Sequence, residues 1–274
     1  MALTVFVTGA RGQLGREVVE AAGAHPATVD VTDRDAVLAA VTELRPDRIV
    51  HCAAYTDVDG CELDPERAFA VNALGTRNVV EAAGLVGAHV TYISTDYVFD
   101  GDADRPYAEW DPVRPVSVYG ASKLAGEREV RPDDAVVRTS WLCGRYGSNF
   151  VTAVLRLAAE RDELTMVDDQ VGCPTLADDL AGMVVRLSRE ARRGVIHVTN
   201  QGVVSRYELA REILMAAGRD PAQVTPIKTA DLQPPRPAAR PAYSVLDNAV
   251  LRLSGLPLLP DFRPSLARLV KAVL

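Results

Sequence analysis

Two side chains that can exchange a proton lie four residues apart in the segment Tyr119-Gly-Ala-Ser-Lys123. If this segment is helical, Tyr119 and Lys123 share one face, so the ammonium can approach the phenol or a cofactor ribose held beside it. A free phenol titrates near pKa ~10, and a nearby positive charge lowers that value. The spacing therefore indicates a tyrosine acid assisted by a lysine. A surface pair on a helix is the structural alternative.

A glycine-rich loop near the start of the chain supplies a second kind of chemistry. The sequence Gly9-Ala-Arg-Gly12-Gln-Leu-Gly15 follows an apolar stretch, residues 3–8, and precedes residues 13–22, which are rich in Leu, Val and Ala. This strand-turn-helix context is what a dinucleotide fingerprint needs, because the helix N-terminus offers free N–H groups to a pyrophosphate. Together with Tyr119, Lys123 and the upstream Ser94-Thr95-Asp96, the loop predicts a nicotinamide-dependent enzyme.

The sequence leaves the choice between NAD and NADP open. In a Rossmann domain, an acidic residue about twenty positions beyond the glycines usually binds the ribose hydroxyls. Asp30 lies only fifteen residues after Gly15, so it could serve the ribose, serve the adenine or cap the following helix. Arg11 could neutralise a 2′-phosphate, or it could be a solvated loop arginine.

The elements that must hold these residues alternate along the first half of the chain. We predict strands at residues 3–8, 28–31, 48–52, 89–94 and 135–139, and helices at residues 13–22, 34–44, 65–85 and around Tyr119. Repeated βαβ units predict an α/β fold with a Rossmann-type, doubly wound parallel sheet whose carboxyl edge forms the site.

Two lobes are expected. Residues 1–145 form the dinucleotide-binding domain, and segments near 176–218 return to it. Residues 146–175 and 219–274 form most of a smaller, interleaved substrate lobe. Helices are predicted near 149–159, 176–188 and 205–217, with a strand at 195–198. Residues 231–241 contain four prolines, which is typical of a loop.

Composition excludes several classes of protein. The net charge of -7 argues against a nucleic-acid partner, which would require a concentrated basic face. The four cysteines and four histidines show no zinc-site spacing and no disulfide framework. No segment approaches the ~20 apolar residues of a membrane helix, and the N-terminus lacks the features of a signal peptide. We therefore expect a cytoplasmic protein with no membrane or nucleic-acid partner.

In order and spacing, these motifs resemble the dTDP-4-dehydrorhamnose reductase family of the extended short-chain dehydrogenase/reductase superfamily. The resemblance covers nearly the whole chain. Its family-specific parts are Ser94-Thr-Asp-Tyr-Val-Phe99 and Asp169-Gln-x-Gly-x-Pro-Thr175. Further matches are Gly12-Gln-Leu-Gly15, Arg45-Pro-Asp47, Ala53-Ala-Tyr-Thr56, Val58-Asp59, Asn72, Tyr119-Gly-x-Ser-Lys123, Gly126-Glu127, Arg138-Thr-Ser-Trp141, Asn149-Phe150 and Arg240-Pro241.

The resemblance implies NADPH- or NADH-dependent reduction of the 4-keto group of a dTDP-linked 6-deoxyhexulose, giving dTDP-L-rhamnose without a metal. By this resemblance the catalytic residues are Tyr119, Lys123 and Thr95. The cofactor-binding residues are Gly9, Arg11, Gly12, Gln13, Leu14, Gly15, Asp30, Val31, Ala53, Ala54, Tyr55, Thr56, Tyr119 and Lys123. The substrate-binding residues are Thr95, Asp96, Val58, Trp141, Asn149 and Arg240. Some family members are dimers bridged by magnesium, so a homodimer is an open alternative, but no acidic cluster assigns a metal site.

Several of these residues also have ordinary structural explanations. Trp141 could be a core aromatic residue, and Arg240 could be solvated in its proline-rich loop. We favour a structural role for Asn72 over a proton relay, since an amide inside a helix can bind nearby backbone. Asp169 and Gln170 could cap a turn.

The sequence departs from the family pattern at four positions of the sugar-nucleotide region: Cys143, Val171, Cys173 and Ala242. A 4-ketoreductase for another dTDP-deoxysugar is therefore a competing hypothesis. A nucleotide-sugar epimerase is a second alternative. Dehydratases place an acid after Thr-Asp, where this chain has Tyr97. A non-catalytic nucleotide-binding regulatory subunit is a third alternative, although Thr95, Tyr119 and Lys123 are all present.

Overall fold

The computed structural model describes residues 3–274. Within this range the strands, numbered β1 to β12 in chain order, are Val5–Thr8, His25–Pro26, Arg48–His51, His89–Thr95, Ala135–Thr139, Leu142–Cys143, Leu164–Val167, Val171–Gly172, Thr175–Leu176, Gly194–His197, Val204–Ser205 and Val224–Ile227. The α-helices, α1 to α11, are Gln13–Ala22, Arg34–Leu44, Val58–Leu63, Pro65–Phe69, Gly75–Val86, Val118–Glu127, Phe150–Glu160, Ala177–Arg189, Arg206–Ala216, Ala249–Leu253 and Phe262–Val273. None of these helices is long and apolar enough to cross a bilayer.

The central sheet has six parallel strands in the order β10-β5-β4-β3-β1-β2. The chain leaves β1 toward one edge and resumes at β3 toward the other, so the sheet is doubly wound and its switch point lies between β1 and β3. Buried Val, Ile and Tyr side chains fill these strands, as expected for a sheet covered on both faces. The predicted Rossmann-type α/β fold is confirmed.

The second strand and the long helix differ from the sequence-based prediction. The strand predicted at residues 28–31 is wrong, because the pairing strand is β2, and Asp30 instead forms a turn with Thr32. The helix predicted over residues 65–85 is helical throughout, but a π-helical segment, Ala70–Leu74, separates α4 from α5. Such π segments are rare and often mark functional sites.

A second hydrophobic core lies away from the central sheet. Helices α7, α9 and α11 pack together there, with the small parallel pair β7-β12 beside them. In contrast, α8 packs against α1, and β10 completes the edge of the central sheet. The chain therefore crosses between the two cores more than once. The exact boundaries of the two expected lobes stay a prediction.

A buried ion pair joins α6 to two strands of the central sheet. Glu127, the last residue of α6, accepts two hydrogen bonds from the Arg138 guanidinium, at 2.8 and 2.7 Å, and one from the Ser94 hydroxyl at 2.6 Å. The side chains of Arg138 and Glu127 are only 5% and 6% exposed. This cluster fixes α6 to β4 and β5, and thereby sets where the other residues of α6 lie.

Breaking this pair from one side should destabilise the protein strongly. The change Arg138→Met leaves the Glu127 carboxylate buried without its cation, which costs about 3–5 kcal/mol in free energy of unfolding. The exposed pair Arg77–Glu129 is the matched control, and Arg77→Met should cost about 1 kcal/mol or less. Urea unfolding of the two variants measures the difference. Equal losses would contradict the structural importance of the buried pair.

Candidate active site

One cleft of about 720 Å³ lies at the carboxyl ends of β1, β3, β4 and β5, between the two hydrophobic cores. This is the edge where open parallel sheets bind ligands. It brings together most of the residues that the sequence singled out, namely Gly9, Gly12, Gln13, Leu14, Gly15, Ala54, Thr56, Val58, Thr95, Asp96, Tyr119, Lys123, Trp141, Asn149 and Arg240.

The glycine loop packs against itself and against the residues that follow β3 so closely that Gly9 and Gly15 leave no room for a side chain. A Cβ on Gly9, where φ is +64°, would lie 2.5 Å from the backbone nitrogen of Ala53, and one on Gly15 would lie 2.2 Å from the Gly9 carbonyl oxygen. Gly12 begins α1 without a side-chain cap, so the N–H groups of the first turn face the cleft unpaired by the helix. This cradle fits the pyrophosphate of a nicotinamide dinucleotide.

Five predicted cofactor residues do not line the cleft. Arg11 and Asp30 are exposed, and Val31 packs in the core beneath α5. Ala53 forms the backbone wall behind Gly9. Tyr55 lies behind the cleft, where its backbone N–H and C=O are both bound by the side chain of Asn72.

Asn72 has a structural role in the described chain. Its amide accepts from the Tyr55 N–H at 2.8 Å and donates to the Tyr55 carbonyl at 3.0 Å and to the Ser122 hydroxyl at 2.9 Å. The side chain lies in the π-helical segment and is fully buried. It therefore ties the loop after β3 to α6, the helix that carries Tyr119 and Lys123.

Lys123 lies on α6, which begins at a Ser117 cap and buries this lysine almost completely. Its ammonium donates to the Ile93 carbonyl at 2.7 Å and lies 4.1 Å from the centre of the Tyr92 ring. Burial lowers the pKa of Lys123 to about 7, and the nearby Glu127 carboxylate opposes that shift. The lysine is therefore desolvated and held in one position at the base of the cleft.

Tyr119 differs from the expectation that its pKa is lowered. Burial raises the pKa of Tyr119 above its ordinary value, the Thr95 hydroxyl opposes this, and the Asp96 carboxyl raises it further. The ammonium of Lys123 is turned toward Ile93 and Tyr92 instead. At neutral pH the phenol keeps its proton, so Tyr119 is set up to donate rather than to accept.

Thr95 and Asp96 form a buried pair beside Tyr119. The Thr95 hydroxyl donates to Asp96 Oδ1 at 3.0 Å and accepts from the Tyr97 N–H at 3.2 Å. The other carboxyl oxygen of Asp96 is buried and has no hydrogen-bond partner among residues 3–274. Burial raises the pKa of Asp96 to about 6. The nearby hydroxyls of Ser244 and Thr95 partly offset the effect, although only the Thr95 hydroxyl is in hydrogen-bonding geometry.

Trp141 forms the opposite wall in a strained backbone conformation. Its φ is +45°, which is rare for a bulky residue. One face of the indole meets Gly172, where a Cβ would lie 2.5 Å from Trp141 Cε2. The Arg206 guanidinium lies 3.5 Å from the ring centre. We call Gly172, Trp141 and Arg206 the tryptophan stack. It explains in steric terms why the Asp169-Gln-x-Gly motif contains a glycine.

Two further predicted residues link parts of the cleft wall. Asn149 caps α7, and its amide donates to Gln13 Oε1 at 3.0 Å, so the N-termini of α1 and α7 are bridged. Arg240 donates to both oxygens of Asp59, at 3.0 and 2.9 Å. The same carboxylate accepts from the Ala238 N–H, which fastens the proline-rich loop to α3.

Sequence analysis missed several cleft residues, above all Arg206 and Arg236. Arg206 had a usable signal, because Ser205 and Glu208 form a capping box that begins α9 and places Arg206 in its first turn. Arg236 had none, since it lies in an irregular loop. Asp169 and Gln170 both bind Thr229, and the Gln170 carbonyl accepts from the Arg206 N–H. Within residues 3–274 no group of three His, Cys, Asp or Glu side chains is arranged to hold a metal ion.

Comparison with known proteins now identifies the family. The family model described as RmlD substrate binding domain matches residues 3–274. The dTDP-4-dehydrorhamnose reductase of Streptomyces griseus is 45% identical, over 95% of this chain and 91% of that protein. The chain belongs to the dTDP-4-dehydrorhamnose reductase family. The resemblance stated from the motifs is thereby confirmed.

Two other members of the family bear on the cofactor and the sugar. The crystal structure of dTDP-4-dehydrorhamnose reductase from Bacillus anthracis in complex with NADP has a TM-score of 0.94 and 41% identity, covering 98% of this chain and 99% of that one. The dTDP-4-keto-6-deoxy-D-glucose reductase of Streptomyces niveus is 40% identical over 92% of this chain and 91% of that protein. The relatives of this chain therefore include reductases named for different dTDP-sugars.

In this member of the family, Gly172→Ala should disturb the tryptophan stack. The added methyl group overlaps the indole, so we expect a loss of about 1–3 kcal/mol in free energy of unfolding. Gly182→Ala is the control, because Gly182 is exposed in α8 and a Cβ there meets nothing within 4 Å. That change should stabilise by up to about 1 kcal/mol. Urea unfolding measures both, and a neutral Gly172→Ala would show that Trp141 can move freely.

The buried carboxyl of Asp96 should make stability depend on pH. Its pKa is about 6 in the folded protein and 3.8 in the unfolded reference, so the folded state holds a proton that the unfolded chain releases first. Stability relative to Asp96→Asn should therefore fall as pH rises from 4 to 6 and then level off. The whole loss relative to the variant, from below both pKa values to above both, should be about 3 kcal/mol. Urea unfolding at pH 4.5 and 7.5 tests this, and a pH-independent difference would contradict it.

Proposed function

We propose that the protein reduces the 4-keto group of a dTDP-4-keto-6-deoxyhexose with NADPH or NADH, and that dTDP-4-dehydro-L-rhamnose is the substrate, giving dTDP-L-rhamnose. The observation that carries the proposal is the content of one cleft. The glycine cradle at β1, the proton donor Tyr119 and the wall formed by Trp141 all line it. Family membership supports the same reaction, since the Streptomyces griseus relative is a dTDP-4-dehydrorhamnose reductase.

The residues of this chain would divide the work as follows. The first turn of α1 binds the pyrophosphate, and Lys123, held by Ile93, orients the ribose. A nicotinamide dinucleotide bound here supplies the hydride that adds to the C4 carbonyl carbon. Tyr119 transfers its phenolic proton to the carbonyl oxygen, so the ketone becomes an alcohol and the phenol becomes a phenolate that solvent reprotonates. The roles of Asp30, Val31, Ala53 and the other cofactor-contact residues stay predictions.

Thr95 must change partners to take part. Its hydroxyl hydrogen is directed to Asp96 Oδ1. A substrate carbonyl oxygen within reach of Tyr119 would attract the same hydrogen, and protonation or rotation of Asp96 would release it. Because Asp96 is buried with one oxygen unpaired among residues 3–274, a hydroxyl of the sugar would be a favourable partner for it. We infer that Thr95 and Asp96 together recognise the part of the sugar next to the reacting carbonyl by hydrogen bonding.

A second candidate is the same reaction on another dTDP-deoxysugar. The relative from Streptomyces niveus, a dTDP-4-keto-6-deoxy-D-glucose reductase, is nearly as similar as those named for rhamnose. Cys143 and Cys173 differ from the residues that the family pattern has at these positions. Because Cys143 lines the cleft, this difference favours a different sugar. Assaying both ketosugars with one preparation distinguishes the two candidates.

The remaining hypotheses have less support. A dehydratase needs an acidic residue after Asp96 for elimination. That position holds Tyr97, which is buried beside Tyr119 with the two ring centres 5.5 Å apart. Thr95, Tyr119 and Lys123 all meet the cleft, an arrangement that a purely regulatory subunit does not need. An epimerase would keep its cofactor without net consumption. A homodimer and a cytoplasmic location stay predictions.

The decisive variant is Tyr119→Phe. It removes the proton donor and keeps the ring, so kcat for ketosugar reduction should fall by at least ~100-fold, the usual contribution of a general acid. The measurement is loss of NADPH or NADH absorbance with dTDP-4-keto-6-deoxy-L-mannose, and NADPH affinity should change by less than about threefold.

Tyr146→Phe is the matched control, because the Tyr146 hydroxyl contacts Glu20 outside the cleft. This variant should keep the wild-type rate. If folded wild-type protein consumes neither cofactor with this ketosugar, the rhamnose assignment is wrong. If Tyr119→Phe keeps its activity, the proton comes from another group.

A further inference from the structure

Three arginines line the side of the cleft away from the glycine cradle: Arg206, Arg236 and Arg240. Two of them already have an anion. Arg240 is paired with Asp59 through two hydrogen bonds, and Arg236 reaches the same carboxylate at 3.4 Å. One carboxylate therefore neutralises part of the charge of both loop arginines. The guanidinium groups of Arg236 and Arg240 therefore mainly hold the proline-rich loop against α3.

Arg206 is held differently. Its guanidinium lies face-on to Trp141, at 3.5 Å from the ring centre, and 5.1 Å from the centre of the Phe150 ring. No carboxylate of residues 3–274 lies within 4.0 Å of its nitrogens, and Asp96 acts on it only from farther away. Stacking uses the face of the guanidinium and keeps the N–H groups at its edge available to donate, with the Tyr97 hydroxyl as a neutral neighbour of that edge. The result is an oriented cation in the cleft wall without its own protein anion.

The surroundings of Arg206 make this charge costly. Burial lowers the pKa of Arg206, and Tyr97, Cys143 and Asp96 oppose that shift without reversing it. Arg206 is partly buried, and a partly buried cation without an ion-pair partner is destabilising unless a ligand supplies the anion. A ligand with two or more negative charges would compensate it, and a guanidinium matches phosphate oxygens in a bidentate geometry.

We propose that Arg206 binds the diphosphate of the sugar nucleotide, with Trp141 as the platform that orients its fork. The inference rests on the proposed function, since it takes the substrate to be a nucleoside diphosphate sugar. It assigns the primary diphosphate contact to Arg206, and not to Arg240, the arginine among the predicted substrate-binding residues. Arg240 and Arg236 would then act mainly by keeping the proline-rich loop closed over that part of the cleft.

The test compares ligands that differ only in phosphate. Calorimetric titration of the full-length protein with dTDP and with thymidine isolates the diphosphate contribution, and the ratio of the two affinities is the readout. Arg206→Met keeps an apolar stem over Trp141 and removes the donors. It should reduce the preference for dTDP over thymidine by roughly 10- to 100-fold, the value of one to two charge-assisted hydrogen bonds. Thymidine affinity should change by less than about threefold.

Two further variants separate binding from packing. Arg206→Lys keeps the charge without the fork and should restore only part of the preference. Arg263→Gln is the control, because Arg263 is paired with Glu212 and Asp261 away from the cleft, and its preference should equal that of the wild type. In steady-state assays Arg206→Met should raise KM for the ketosugar more than it lowers kcat.

The outcomes are distinguishable from those that test the reaction itself. Equal losses of dTDP and thymidine affinity in Arg206→Met would mean that Arg206 only supports Trp141. If the variant keeps the wild-type affinity for both ligands, the diphosphate is bound elsewhere. Either result overturns the inference. Wild-type protein that prefers dTDP through Arg206 but reduces no ketosugar would retain this inference and reject the proposed reaction. Wild-type protein that binds dTDP no better than thymidine would overturn the inference.

Discussion

The arrangement of the site depends on one buried contact, the pairing of Glu127 with Arg138 and Ser94. These three side chains come from α6, β5 and β4, and together they fix a helix to two strands far inside the protein. Tyr119 and Lys123 lie on that same helix, and Thr95 follows Ser94 directly. Because ionic hydrogen bonds are directional, they set the position of α6 more sharply than apolar packing alone. Asn72 secures the helix from its other side through Ser122.

Sequence reasoning succeeded where local patterns and tertiary structure agree. The sequence predicted the glycine loop, the helix with Tyr119 and Lys123, and most of the parallel strands. In each case the local residue pattern is sufficient to specify the backbone conformation. It failed where long-range contacts decide. Residues 28–31 resemble a strand, but the turn made by Asp30 and Thr32 replaces it. The π-helical segment around Asn72 and the pairing of Arg240 with Asp59 depend on residues distant in sequence, so no local signal announces them.

The site also concentrates groups that folding alone would not favour. Lys123 is desolvated, Asp96 keeps an unpaired buried oxygen within the described range, and Trp141 has a positive φ. Each lowers the stability of the free protein, and each faces the same cleft. Functional sites commonly hold such strain, because groups arranged for a ligand cannot also satisfy one another. The second hydrophobic core and the ion pair beneath α6 supply the rigidity that tolerates it.

The tryptophan stack has a consequence for how this pocket can diversify. Gly172, Trp141 and Arg206 come from three separate segments, yet each occupies space that another leaves open. A smaller ring at position 141 would leave the Arg206 guanidinium without its stacking partner, and a larger residue at position 172 would displace the Trp141 ring. Substitutions at these positions should therefore be epistatic, since the effect of each depends on the other two. New sugar preferences would be reached through coordinated replacements, or through changes elsewhere in the wall that leave the stack intact.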